Sequence, residues 1–151
     1  SWEEAMVQYD KKPKKLLISI YTRWCNWCKK MDNSTFEDPG IAGLINNQFY
    51  PVKLDAQSNQ ELIFKGKTYK NRNEGPNSYH DLAIELLHER RSFPTIVFLD
   101  EQLQHIQAIV GYKSADEFET IASYFGYNGY KKTPWSAYEK QFKSAFANEK
   151  H

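Results

Sequence analysis

The chain has 151 residues, 40% of them hydrophobic and 26% charged, with 20 basic against 19 acidic residues and a formal net charge of +1. A length of this order builds one domain and buries roughly two thirds of its unfolded surface, so folding needs no disulfide scaffold, and the interspersed, balanced charge gives no footprint for nucleic acid. No apolar run approaches the roughly 20 residues that cross a bilayer, and the 15% aromatic content excludes a chain disordered throughout.

In chain order, Ser1 followed by Glu4 has the spacing of a capping box and predicts a short first helix. The basic cluster Lys11–Lys15 reads as a solvated loop. KLLISIYT, Lys15–Thr22, is a compact apolar run bounded by polar residues and predicts a buried strand. After Trp24 the period turns helical through Cys28, Met31 and Asp32, fading near Asn33–Ser34. Asp38 as N-cap with Pro39 at the first helical position starts the next helix. FYPVKLDA is a strand ending near Asp55. ELIFKGKTYK alternates about Lys65–Gly66 and predicts a small hairpin, against a competing capping box from Ser58 to Glu61 that would make a helix. NRNEGPNS is a loop by composition. SYHDLAIELLHERR is helical, with Leu82, Leu86 and Leu87 on one face and Ser78 as its cap. TIVFLD and HIQAIVGY are adjacent strands about a turn at Glu101–Gln102. A helix runs from its cap Ser114 to Gly126, and a last one over 133–147 takes Thr133 as cap and Pro134 at its first position. Early alternation predicts parallel pairing and the late pair an antiparallel hairpin, giving one mixed sheet with helices on both faces.

The chain's two cysteines, Cys25 and Cys28, lie in WCNWCKK between that first strand and its helix. Free amide groups and the dipole of a helix N-terminus favour negative charge, so a thiolate at Cys25 is stabilised there, and Cys28 is one turn further in, close enough to resolve a mixed disulfide. Lys29 and Lys30 add positive potential. A zinc site needs two more ligands, and His80, His88, His105 and His151 offer no pair at ligand spacing, each reading as a surface histidine. A structural staple closing so short a loop removes little chain entropy. A redox centre is the reading that remains, ahead of two inert core thiols.

With WCNWCKK upstream and SFPT downstream, the sequence resembles the thioredoxin superfamily over about residues 15–125, and is similar to its bacterial cell-envelope members: the reducing C-terminal domain of the membrane thiol-disulfide interchange protein and small thioredoxin-like proteins of the Bacteroidetes type. Trp24 matches the Trp before the first cysteine, Phe93–Pro94 the cis-proline peptide beside the sulfurs, and Gly111 the glycine ending the last strand. The resemblance implies an α/β thioredoxin-like fold in a single domain over 1–151, with an insert at about 57–77 before the cis-proline and a C-terminal helical extension at about 133–147. It implies a periplasmic or secreted monomeric thiol-disulfide oxidoreductase that reduces or isomerises protein disulfides, reductase being favoured over oxidase, with Cys25 as nucleophile and Cys28 as resolving thiol. Trp24, Asn26, Trp27, Phe93 and Pro94 would bind substrate. The partners implied are protein disulfides and an upstream thiol reductant, and no cofactor is expected beyond the two cysteines.

Three features depart from the family. Ser19 stands where thioredoxins commonly place a buried Asp that moves the resolving thiol's proton. Asn26–Trp27 replaces Gly-Pro between the cysteines, and Trp27 is either a peptide-holding surface or packing. The insert either narrows the groove or covers the sheet, covering being preferred. The competing function is a thioredoxin-like binding module with Trp2, Trp24, Trp27 and Trp135 as contact residues, or a redox sensor whose disulfide alters partner affinity.

Overall fold

The computed structural model describes residues 1–149, with side chains to Lys143 in the last helix. In chain order the elements are α1 (Trp2–Lys11), β1 (Lys15–Tyr21), α2 (Asn26–Asn33), α3 (Pro39–Gln48), β2 (Phe49–Asp55), β3 (Leu62–Phe64), β4 (Lys67–Tyr69), α4 (Asp81–Leu86), β5 (Thr95–Leu99), β6 (His105–Val110), α5 (Ala115–Gly126), a 3-10 turn (Gly129–Lys131) and α6 (Trp135–Glu149). The main sheet has the order β2-β1-β5-β6. β1 pairs parallel with β2 and antiparallel with β5, and β5 pairs antiparallel with β6.

β1 is buried on both faces, as its compact apolar run requires, with Ser19 buried among the aliphatic residues. Alternation along the strand sends Leu16, Ile18 and Ile20 into one core and Leu17 into the other. The first core is closed by Trp2 and Ala5 of α1, Leu82 and Leu86 of α4, and Leu62, Phe64 and Tyr69 of the β3–β4 hairpin. The second holds Met31 of α2, Ile41 and Ile45 of α3, and Phe118, Ile121 and Ala122 of α5 around Phe49 and Phe98. The site's helix, α2, is thus anchored through fully buried Met31 while Asn26 and Trp27 at its start stay exposed.

Local chemistry accounts for most boundaries. Asp38 Oδ1 accepts from the N–H groups of Gly40 (2.9 Å) and Ile41 (3.2 Å), with Pro39 opening α3. Ser114 and Glu117 form a full capping box at α5. The hairpin reading of residues 62–69 holds because Lys65 (φ 53°) and Gly66 (φ 77°) both take left-handed backbone, the requirement of a tight two-residue hairpin turn. Ser58 instead closes a local turn, its Oγ accepting from Gln60 N–H at 3.1 Å.

Four expectations are corrected. α4 starts at Asp81 with His80, not Ser78, as its cap: His80 Nδ1 accepts from Leu82 N–H (3.1 Å), while Ser78 Oγ accepts from Glu74 N–H (2.8 Å). His80 is consequently fully buried rather than at the surface, its Nε2 lying 2.7 Å from the Gln60 carbonyl oxygen. α5 ends at Gly126 with ordinary helical backbone and a non-glycine cap, Tyr127; what the glycine provides is room, since a Cβ there would lie 3.1 Å from Gln48 Cβ and 3.2 Å from the Phe49 ring. α6 begins at Trp135, where the Pro134 carbonyl accepts from Tyr138 N–H (3.0 Å), so Pro134 precedes the helix rather than opening it. His151 lies outside the described residues.

Candidate functional site

The end of β1 passes through a turn, Cys25 N–H to the Thr22 carbonyl at 3.3 Å, that delivers Cys25 to the head of α2. Cys25 is the N-cap: its backbone is extended (φ −82°, ψ 105°), its carbonyl accepts from Lys29 N–H (3.2 Å), and its Sγ accepts from Cys28 N–H (3.1 Å). A sulfur in this place receives one of the unpaired amides of a helix N-terminus, and no acidic residue occupies the first turn of α2 to oppose negative charge. Cys25 and Cys28 are joined as a disulfide, with Cα atoms 5.2 Å apart. Cys28 is buried and Cys25 half-buried. One sulfur faces outward, the other is held behind it.

The two tryptophans differ. Trp27 is 56% exposed and its ring lies 5.5 Å from Tyr112, with Lys30 Nζ over both rings at 4.8 and 5.2 Å. A hydrogen bond with Ser34, with help from Thr35 and Lys30, holds the Tyr112 phenol below its ordinary value. Trp24 is 78% exposed, and among the described residues no ring stacks on it and no cation sits over it. It forms one wall of a cleft of about 540 Å³ completed by Thr22, Gln57, Asn77, Tyr79 and Phe93. The Phe93–Pro94 peptide is cis. The Pro94 carbonyl accepts from Gly111 N–H (2.8 Å), which binds the start of β5 to the turn leading into Tyr112, and Gly111 (φ 94°) needs its lack of a Cβ for that turn.

Ser19 lies buried on β1 beside Lys53 of β2. With Asp32, which pairs with Lys53 Nζ at 2.6 Å, these residues line a cavity of about 230 Å³. The carboxylate of this region therefore comes from α2, one turn beyond Cys28.

Of the residues singled out from sequence, Trp24, Cys25, Asn26, Trp27 and Cys28 lie on one loop and helix start, and Phe93 meets Trp24 across the cleft. Trp2 and Trp135 do not join them. Trp2 is core, with its indole N–H on the Ile63 carbonyl (3.0 Å), and Trp135 packs on Tyr124 at 5.2 Å. The histidines are apart from the cysteines: His88 and His105 stack on each other at 4.1 Å, and no metal-holding group of three or more His, Cys, Asp or Glu occurs among the described residues. Sequence reading missed Tyr112, Gln57, Asn77 and Tyr79. Tyr112 was within reach, directly after the strand-ending Gly111; Gln57 lies twenty or more residues before Asn77 and Tyr79, and the three carry no shared pattern.

Comparison with known proteins follows this geometry. Residues 2–126 match the family described as "Thioredoxin-like domain". A thioredoxin-fold protein from Helicobacter pylori superposes with a TM-score of 0.67 at 16% identity, covering 88% of this chain and 86% of that one. A thioredoxin from Thermus thermophilus gives 0.57 at 15% identity, covering 80% of each chain. The DsbD C-terminal domain of Neisseria meningitidis, in its oxidised form, gives 0.53 at 16% identity, covering 82% of this chain and 90% of that one. No curated protein matches.

Proposed function

The chain belongs to the thioredoxin-like domain family, and from that premise we propose that it is a protein-disulfide oxidoreductase of the cell envelope, reducing or isomerising disulfides through Cys25 and Cys28. The observation that carries the reading is the place of Cys25, a half-buried sulfur capping α2 on the Cys28 amide, with its partner buried within bonding reach. In the reduced protein, the Cys25 thiolate attacks one sulfur of a substrate disulfide and the other leaves as a thiolate that takes up a proton. The Cys28 thiol, on losing its proton, attacks Cys25 Sγ and expels the second substrate thiol. Two electrons and two protons pass to the substrate, and the Cys25–Cys28 disulfide remains. A thiol reductant restores it by the same exchange in reverse, so no cofactor is required.

In this reading Pro94 and Trp27 are substrate-contact residues, Trp27 packed against Tyr112 with Lys30 over its ring. Reduction is favoured over oxidation because no His lies between the cysteines to stabilise a thiolate further. Among the described residues no helix is long and apolar enough to cross a membrane. Insulin-disulfide reduction with dithiothreitol tests the proposal: wild type accelerates it, and Cys25→Ser falls to the uncatalysed rate. Full activity in Cys25→Ser would refute it.

A further inference from the structure

The cleft beside Trp24 has an origin that the redox pair does not explain. Three of its lining residues, Thr22, Trp24 and Phe93, flank the cysteines and the proline; the others, Gln57, Asn77 and Tyr79, come from the segment between β2 and α4. That segment does two separate things. Its hairpin covers the sheet through Leu62, Phe64 and Tyr69. Its two ends return to the redox face, tied together by Gln57 Nε2 donating to the Asn77 carbonyl (3.3 Å) and by Asn71 Nδ2 donating to the carbonyls of Ser58 and Ser78 (3.0 Å each).

The wall so built is aromatic. Tyr79 stacks on Phe93 at 5.8 Å and 18°, and the Arg91 guanidinium lies 5.1 Å over the Tyr79 ring. Opposite stands Trp24, whose indole is the unpartnered ring of the site, whereas Trp27 is engaged by Tyr112 and Lys30. No carboxylate or ammonium lines the cleft, and its polar groups are a hydroxyl, two amides and a phenol. Among the described residues the backbone N–H and C=O of Phe93 make no backbone hydrogen bond. An exposed indole facing neutral polar groups suits a flat ring with hydrogen-bonding backbone on either side, and the Arg91 guanidinium is already engaged on the Tyr79 ring.

We propose that this cleft is a specificity subsite that takes an aromatic side chain next to the reacting cysteine of a polypeptide substrate, with Gln57, Asn77 and Tyr79 as the residues that set the preference. The inference rests on the oxidoreductase reading above. Trp24 is bonded directly to Cys25, so a ring laid on it belongs to a residue adjoining the attacked sulfur. The Cys25 thiolate attacks that sulfur, the former partner leaves as a thiolate, and the ring stays on Trp24 while Cys28 completes the exchange.

The test uses the pre-reduced full chain in single turnover with short glutathionylated peptides, Gly-X-Cys-Gly and Gly-Cys-X-Gly, where X is Tyr, Phe, Ala, Glu or Lys, following glutathione release. In one of the two positions, Tyr and Phe react faster than Ala by about 3- to 10-fold, the range a single aromatic contact supplies, with Glu and Lys close to Ala. In Asn77→Ala and Tyr79→Ala the ratio of aromatic to alanine rates falls below about twofold; Asn77 is exposed, so that variant reads the cleft even if Tyr79→Ala folds poorly. Equal rates for every X, a preference for Glu or Lys, or an unchanged ratio in the variants overturns the inference while leaving the exchange chemistry standing. No glutathione release from any peptide, alanine included, overturns both.

Discussion

At the residue scale the proposed division of labour between the sulfurs rests on burial and capping. Cys25 is half-buried and receives an amide hydrogen bond, whereas Cys28 is buried. Cys28→Ser should therefore trap substrate as a stable mixed disulfide on Cys25, visible by mass spectrometry after mixing with an oxidised peptide. An adduct that dissociates as fast as in wild type would contradict the assignment of Cys28 as the resolving thiol. The placing of Cys25 at the head of α2 was readable beforehand, because a strand, a Trp and Cys-x-x-Cys entering a helix is local pattern. The unequal fates of Trp24 and Trp27 were not. They depend on Tyr112, which lies far along the chain and is brought beside Trp27 by the Pro94–Gly111 hydrogen bond and its own bond with Ser34.

At the element scale, caps and turns were readable wherever they use neighbours in sequence: Asp38 at α3, Ser114 with Glu117 at α5, Lys65–Gly66 in the hairpin. The start of α4 was not, since His80 is an effective cap only because Gln60, twenty residues earlier, receives its other nitrogen. Gly126 makes the same point from packing. Ala at position 126 would press a methyl onto Gln48 and Phe49 at 3.1–3.3 Å, whereas position 43, exposed in α3, has nothing within 4 Å. Gly126→Ala should destabilise by about 1–2 kcal/mol through overpacking, and Gly43→Ala should stabilise by about 0.5–1 kcal/mol through helix propensity. Denaturant unfolding of the oxidised protein reads both. Equal shifts in the two variants would show that α5 does not pack on the α3–β2 junction as closely as described.

At the scale of the whole molecule, the mixed sheet and its two helical layers follow from one property of β1, burial on both faces, which a compact apolar run announces. The meeting of the α4 exit with β6 follows from no local pattern. His88 takes left-handed backbone after α4 and its ring stacks on His105, whose Nε2 is buried without a partner. Burial, and the neighbouring imidazole, hold His105 below the usual histidine value despite its backbone hydrogen bond at Leu86. The unfolded chain thus binds a proton, at about pH 6.5, that the folded chain resists. The stability this neutral ring contributes is present above about pH 6.5 and is lost as pH falls through the folded value. Thermal unfolding between pH 7.5 and 5 should accordingly decline more steeply in wild type than in His105→Gln, and parallel curves would contradict it.

The account as a whole depends on the ionisation of one sulfur at the head of α2. Alkylation of the reduced protein by iodoacetamide across pH, with the modified residue located by mass spectrometry, reads it directly. The prediction is that Cys25 reacts first and that its rate follows a thiolate titrating clearly below the free-thiol value of about 8.5, with Cys28 protected. A rate that follows titration at or above that value, or alkylation that begins at Cys28, would contradict it.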